Sequence, residues 1–165
     1  MKGTITRWLA NIPNSGTKEA IRTPLVALAD RMSSQATSTA GLVIKTGGST
    51  LAKTGSAAFA GVANGFPVAI AGGTDMPVLT VVITAAKYNV VCFFIDQASS
   101  VTAVNGVEGA AIVNIKWPPF PKKKALVGYL IITHSSTFTG GTTALDTATT
   151  VYVSPVGAFD PTILI

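Results

Sequence analysis

The sequence predicts an all-β protein: a β-sandwich-like body over residues 40–165, preceded within residues 1–39 by an N-terminal extended arm and one short or proline-kinked helix. Three observations predict it. Ala, Gly, Thr and Ser dominate, whereas Lys, Glu and Arg, the residues that usually clothe helix surfaces, are scarce. From Ala40 onward, apolar runs of strand length are punctuated by Gly-Gly or Asn-Gly pairs at 47–48, 64–65, 72–73, 105–106 and 140–141. Several of these runs recur at intervals of about eight to twelve residues, the spacing of a sandwich or barrel.

Residues 1–16 show no periodicity, and Asn11, Pro13, Asn14 and Gly16 make them an extended arm with Trp8 and Leu9 as its apolar anchor. The helical pattern follows over residues 17–34. Thr17 is its N-cap, Glu19 lies in its first turn, and Ile21, Leu25, Leu28 and Met32 share one face. Pro24 falls about two turns in, where its ring and missing N–H are expected to kink or split the helix. Strands are expected at 42–45, 57–63, 66–71, 78–84, 89–95, 100–104, 111–115, 125–133 and 150–153. Trp117-Pro118-Pro119-Phe120-Pro121 reads as a rigid crossover between sheets, and Lys122, Lys123 and Lys124 as a solvated loop.

Hydrophobic residues make up 48% of the chain and charged residues only 12%, with a mean hydropathy of +0.50. The longest apolar runs, 78–83 and 90–95, have strand length, so no membrane span is expected and the apolar surplus should face protein. No apolar leader follows Lys2 and Arg7, so a secretory signal is not expected. The net charge of +5 is not organised as a basic stripe interleaved with aromatics, so nucleic acid is not expected as a partner. Cys92 is the single cysteine; it cannot form an intrachain disulfide and reads as a buried thiol in a chain that matures in a reducing cytoplasm.

Little in the sequence points to catalysis. His134 is the only histidine and lies at a strand end. The seven acidic residues are scattered singly, with no metal-ligand spacing, and no cofactor is expected. Asp96 and Asp146 follow an apolar strand and the Gly140-Gly141-Thr142-Thr143 turn, positions where carboxylates accept backbone bonds. That glycine pair allows positive φ in a tight turn, with the threonine hydroxyls able to cap it.

The last third of the chain carries a pattern found elsewhere: Pro121-Lys122-Lys123-Lys124-Ala125-Leu126-Val127-Gly128-Tyr129-Leu130-Ile131-Ile132, then Thr137-Phe138-Thr139-Gly140-Gly141-Thr142-Thr143-Ala144-Leu145-Asp146, then Val151-Tyr152-Val153 and Gly157-Ala158-Phe159-Asp160-Pro161. Together with Gly41-Leu42-Val43-Ile44-Lys45-Thr46-Gly47-Gly48-Ser49, it resembles virion structural proteins of tailed bacteriophages, especially head decoration or cement-type proteins. The resemblance spans roughly residues 41–161 and leaves residues 1–40 unmatched. It implies a β-sandwich-like body, a homo-oligomer with a trimer as the expected state, and attachment to the major capsid protein on the virion surface after synthesis in the host cytoplasm. Such a family has no catalytic residues to carry over. The alternative is a phage tail or fibre-associated module that binds a host receptor or glycan; a small hydrolase is the weakest reading, for want of a base or a metal.

On the decoration reading, Lys2, Arg7, Trp8, Leu9 and Ile12 of the arm are the candidate capsid-binding residues. The 125–133 strand is apolar on both sides, with Val127, Tyr129 and Ile131 alternating with Leu126, Gly128, Leu130 and Ile132. Both its faces should be covered, one by a sheet and one by a neighbour, and Leu130 and Ile132 are the candidate oligomer-interface residues.

Overall fold

The computed structural model describes residues 16–159. One helix, α1 (Gly16–Met32), precedes eleven strands among those residues: β1 (Gln35–Ala36), β2 (Val43–Ile44), β3 (Ala52–Lys53), β4 (Phe59–Ala63), β5 (Phe66–Ile70), β6 (Val82–Ile83), β7 (Tyr88–Ile95), β8 (Val101–Asn105), β9 (Ala125–Thr133), β10 (Phe138–Thr139) and β11 (Thr149–Val153). All pairings between strands are antiparallel. They form a four-stranded sheet β11-β9-β7-β8, a three-stranded sheet β1-β4-β5 and the two-stranded pairs β2-β3 and β6-β10.

The main core fills the space between the inner face of the four-stranded sheet and the smaller sheets. Val91, Phe93 and Ile95 of β7 and Val127, Leu130 and Ile132 of β9 meet Phe59, Val68, Ile70, Leu79, Ile83 and Phe138. The all-β class, with a single α-helix among the described residues, is therefore present. The β4–β5 hairpin turns at Asn64-Gly65, both with positive φ (54° and 84°), the conformation that a two-residue turn between twisted strands requires and that Asn-Gly supplies at least strain.

Several expectations change in detail. The helix is continuous through Pro24, which removes one i→i−4 bond without breaking the element. Residues 111–115 form no strand; Ile112–Asn114 is a single 3₁₀ turn, because Val107 and Lys116 exchange backbone bonds (2.8 and 3.1 Å) and close the intervening residues into a loop, whose Gly109 bonds Tyr88 at the start of β7 (2.9 Å each way). Of the stretch 78–84 only Val82–Ile83 joins a ladder, although Leu79 and Val81 are buried. The body also begins earlier than residue 40, since Gln35 and Ala36 pair with Val62 and Gly61.

The largest correction lies within β9. Phe93 faces Gly128 but Phe94 faces Leu126, so Val127 is an extra residue, a β-bulge. The bulge reverses the alternation: Val127 shares the inner face with Leu130 and Ile132, while Leu126 joins Tyr129 and Ile131 on the outer face. A strictly period-two reading of this strand is therefore out of phase on one side of Val127.

Candidate interaction surface

The outer face of the four-stranded sheet carries a second apolar cluster of Val90, Cys92, Phe94 and Leu126, and the chain covers it itself. The proline-rich segment lies across this face as a cover rather than passing between sheets. Phe120 meets Phe94 edge-on with ring centroids 5.0 Å apart, and Trp117 meets Tyr129 at 4.8 Å. Phe159 stacks on Tyr129 at 5.9 Å. The prolines suit this position, since a segment with few N–H groups leaves few donors to satisfy against an apolar face.

Leu130 and Ile132, expected at an oligomer interface, are both fully buried on the inner face. Their contacts are with the chain's own core, so surface available to a second copy must lie elsewhere. Lys2, Arg7, Trp8, Leu9 and Ile12 lie outside the described residues, as does the apolar C-terminal tail at 162–165.

The groups able to do chemistry are held by the fold. Cys92 is fully buried, and burial pushes its thiol up to about 12, so the thiolate that would act as nucleophile or ligand is suppressed. His134 Nδ1 stands 2.9 Å from the Ser136 hydroxyl and accepts the Ser136 N–H at 3.0 Å, a local turn contact between residues two apart. Asp96 Oδ1 accepts the N–H groups of Ala98 and Ser100, both at 3.0 Å, closing a local turn, whereas Asp146 Oδ2 accepts that of Gly48 at 2.7 Å, a backbone bond made across the fold. Gly141 has φ 76°, and Thr143 Oγ1 accepts the Thr139 N–H at 3.1 Å. Glu108 accepts from Thr84 N–H (2.8 Å), Thr84 Oγ1 (2.9 Å) and Lys87 Nζ (2.7 Å), and these bonds hold its carboxyl down at about 2. No group of three or more His, Cys, Asp or Glu side chains is placed to hold a metal among the described residues.

The described residues also present open surface. A shallow concavity is lined by Asn64, Asp96, Gln97, Ala98 and Lys122 to Lys124. Lys124 is drawn toward Thr102 (3.2 Å) and Asp96 (4.0 Å), whereas Lys122 and Lys123 are exposed. Larger is the apolar surface of α1. From residue 21 to residue 29 every helix residue is exposed except Leu25, which is half-buried. Ile21 is 40%, Leu28 52% and Met32 62% exposed, so three of the four residues of the shared apolar face look outward.

The C-terminal end of the helix is what joins it to the body. Arg31, itself buried, donates to the Phe120 carbonyl at 3.3 Å and stacks over the Phe120 ring at 5.3 Å. Asp30 accepts the Lys123 N–H at 3.3 Å, Ser33 O accepts that of Gly65 at 2.8 Å, and Ser34 Oγ accepts that of Asn64 at 3.0 Å. Phe66, beside that hairpin tip, is 57% exposed. Sequence periodicity located the stripe on α1 but not its surroundings, because periodicity reports that a face is apolar and not what covers it.

No family model, curated protein or solved structure matches the chain.

Proposed function

We propose that the protein is a virion assembly module: a head decoration or cement-type subunit that attaches to a phage capsid and stabilises it by bridging capsid subunits. The observation that carries the reading is the exposed apolar surface of α1 on a chain with few charges, since a helix face of this kind is stable in water only when protein covers it. The resemblance of residues 41–161 to head decoration proteins supports it. In this reading the arm supplies the capsid contact, with Trp8, Leu9 and Ile12 burying apolar area while Lys2 and Arg7 meet acidic capsid groups. Multivalent attachment then raises particle affinity through effective concentration.

Labelling the protein on intact particles tests the proposal. Many copies distributed over the head are expected. A few copies at one vertex or on the tail would favour a receptor- or glycan-binding tail module, and no copies on any particle would end the virion reading altogether.

A further inference from the structure

We infer that the open edge of β8 pairs with the same edge of a second copy of this chain, joining two four-stranded sheets into one. β8 lies at one margin of its sheet. Asp96 N–H donates to Ser100 O before the strand and Gly106 N–H to Val90 O after it. In the antiparallel register with β7, the even-numbered residues therefore turn their backbone groups toward β7, and Val101, Ala103 and Asn105 turn theirs outward. Those outward N–H and C=O groups meet no partner among the described residues. The chain begins to cover this edge and then leaves it. Val107, next in the outward series, exchanges both bonds with Lys116, but Pro118, which would face Asn105 in the same register, has no N–H to give. The stretch left open carries none of the devices that blunt an edge: Val101-Thr102-Ala103-Val104-Asn105 has no charge, no proline and no bulge against β7. By contrast β5, at the margin of the three-stranded sheet, contains Pro67.

A second copy fills this slot in one register. With Ala103 opposite Ala103 on a two-fold axis, Val101 faces Asn105 and Asn105 faces Val101, so every open group is matched, each pair exchanging two backbone bonds. The slot is bounded by Lys116 at one end and by the Asp96–Ser100 turn at the other, and β8 has the length to fill it: five residues bounded by a turn that leads back to β7. Charge neither drives the joint nor forbids it. The two Lys116 side chains stand at opposite ends, about 27 Å apart at roughly 3.4 Å for each of eight residues, well beyond the Debye length of about 8 Å in physiological salt. Each comes to the other copy's Asp96–Ser100 turn, where Asp96 lies 4.0 Å from Lys124 and Lys122 and Lys123 line the same concavity. Cations outnumber the carboxylate there, so added salt should leave the pairing unchanged or tighten it.

The test uses the full chain and does not depend on the virion proposal. Light scattering at the upper end of the micromolar range should give the wild type an even multiple of the 16.8 kDa chain. Ala103→Pro removes an outward N–H and leaves the bonds to β7 in place, so it should keep the circular dichroism of the β body and associate at least tenfold more weakly. Val113→Glu, on the 88% exposed side chain of the 3₁₀ turn, should associate as the wild type does. Should Ala103→Pro fail to fold, two readouts remain. The amides of Val101, Ala103 and Asn105 should exchange more slowly as concentration rises, while those of Thr102 and Val104 stay protected throughout. A 1:1 mixture of Thr102→Cys and Val104→Cys chains should form covalent dimers on mild oxidation faster than either chain alone. In this register those positions face each other at about 4.5 Å between Cα atoms, inside the disulfide range of about 4.4–6.8 Å, and the native thiol of Cys92 is buried. The inference is overturned by a monomeric or odd-numbered wild type, by unchanged association in Ala103→Pro, by weakened association in Val113→Glu or on adding salt, by amide protection that ignores concentration, or by cross-linking of either cysteine chain alone as fast as the mixture. A monomer that still coats phage heads would end this inference and leave the proposed function standing.

Discussion

Leu130 faces Val91 across the centre of the four-stranded sheet with no surface exposed, so the response to changing it is set by a packed interior. Leu130→Ala should lower unfolding free energy by about 2–5 kcal/mol, measured by urea denaturation, and Leu130→Asp should leave no folded protein to assemble. A folded, assembling Leu130→Asp chain would contradict this placement. Glu108 makes a second residue-level prediction. Its carboxyl is held at about 2, below its ordinary 4.5, so its bonds to Thr84 and Lys87 stabilise the fold fully above about pH 4.5. That contribution disappears as pH falls toward 2. Glu108→Gln should therefore be less stable than wild type near neutrality, with the difference shrinking between about pH 4.5 and 2; a difference constant with pH would show that the charge is not what matters. Cys92, whose thiol is pushed up to about 12, should resist maleimide in the native state and react once denatured. Its burial was legible from its neighbours Val90 to Ile95, and the turn-closing role of Asp96 from its position after a strand, whereas the partner of Asp146, Gly48, is set by the fold and not by the Gly-Gly turn before it. The Glu108 cluster was not, because it joins residues 84, 87 and 108 through a fold that local pattern does not specify.

Among the elements, those with strong local signals were the most legible. The 125–133 strand is present as read, and Asn64-Gly65 makes the hairpin turn that its composition requires. The two-residue strands β1, β3 and β10 were invisible, since two residues show no period. The bulge at Val127 was equally hidden: it exists only relative to the partner strand, where Phe93 and Phe94 face Gly128 and Leu126. The cover over the outer face escaped for a related reason. Its three prolines announce rigidity but not the surface on which the segment lies. Phe120 now ties three elements together, packing on Phe94 of β7 while its carbonyl and ring hold Arg31 of α1. Phe120→Ala should cost about 2–4 kcal/mol and speed amide exchange in the last turn of the helix more than in β4 or β5. Equal acceleration across all of these elements would show that the helix end is held some other way.

Across the whole molecule, the proposed division of labour separates body, helix and arm. Deleting residues 1–16 should leave the β body folded and self-associating while weakening particle binding more than tenfold, or about 1.4 kcal/mol per arm. Unchanged particle affinity with reduced thermal stability would instead show that the arm packs within its own assembly, and would move the capsid contact to the body's loops or to the C-terminal tail. The end of α1 bears on this scale too. It is bonded on one side to the β4–β5 hairpin through Ser33 and Ser34, and on the other to the cover of the four-stranded sheet through Asp30 and Arg31. A pull along the helix is thus divided between two sheets instead of peeling either one. Tension from a neighbouring subunit would enter each sheet at its margin, by way of short polar bonds that can re-form when the load eases, and the apolar interior would be the last part of the molecule to yield.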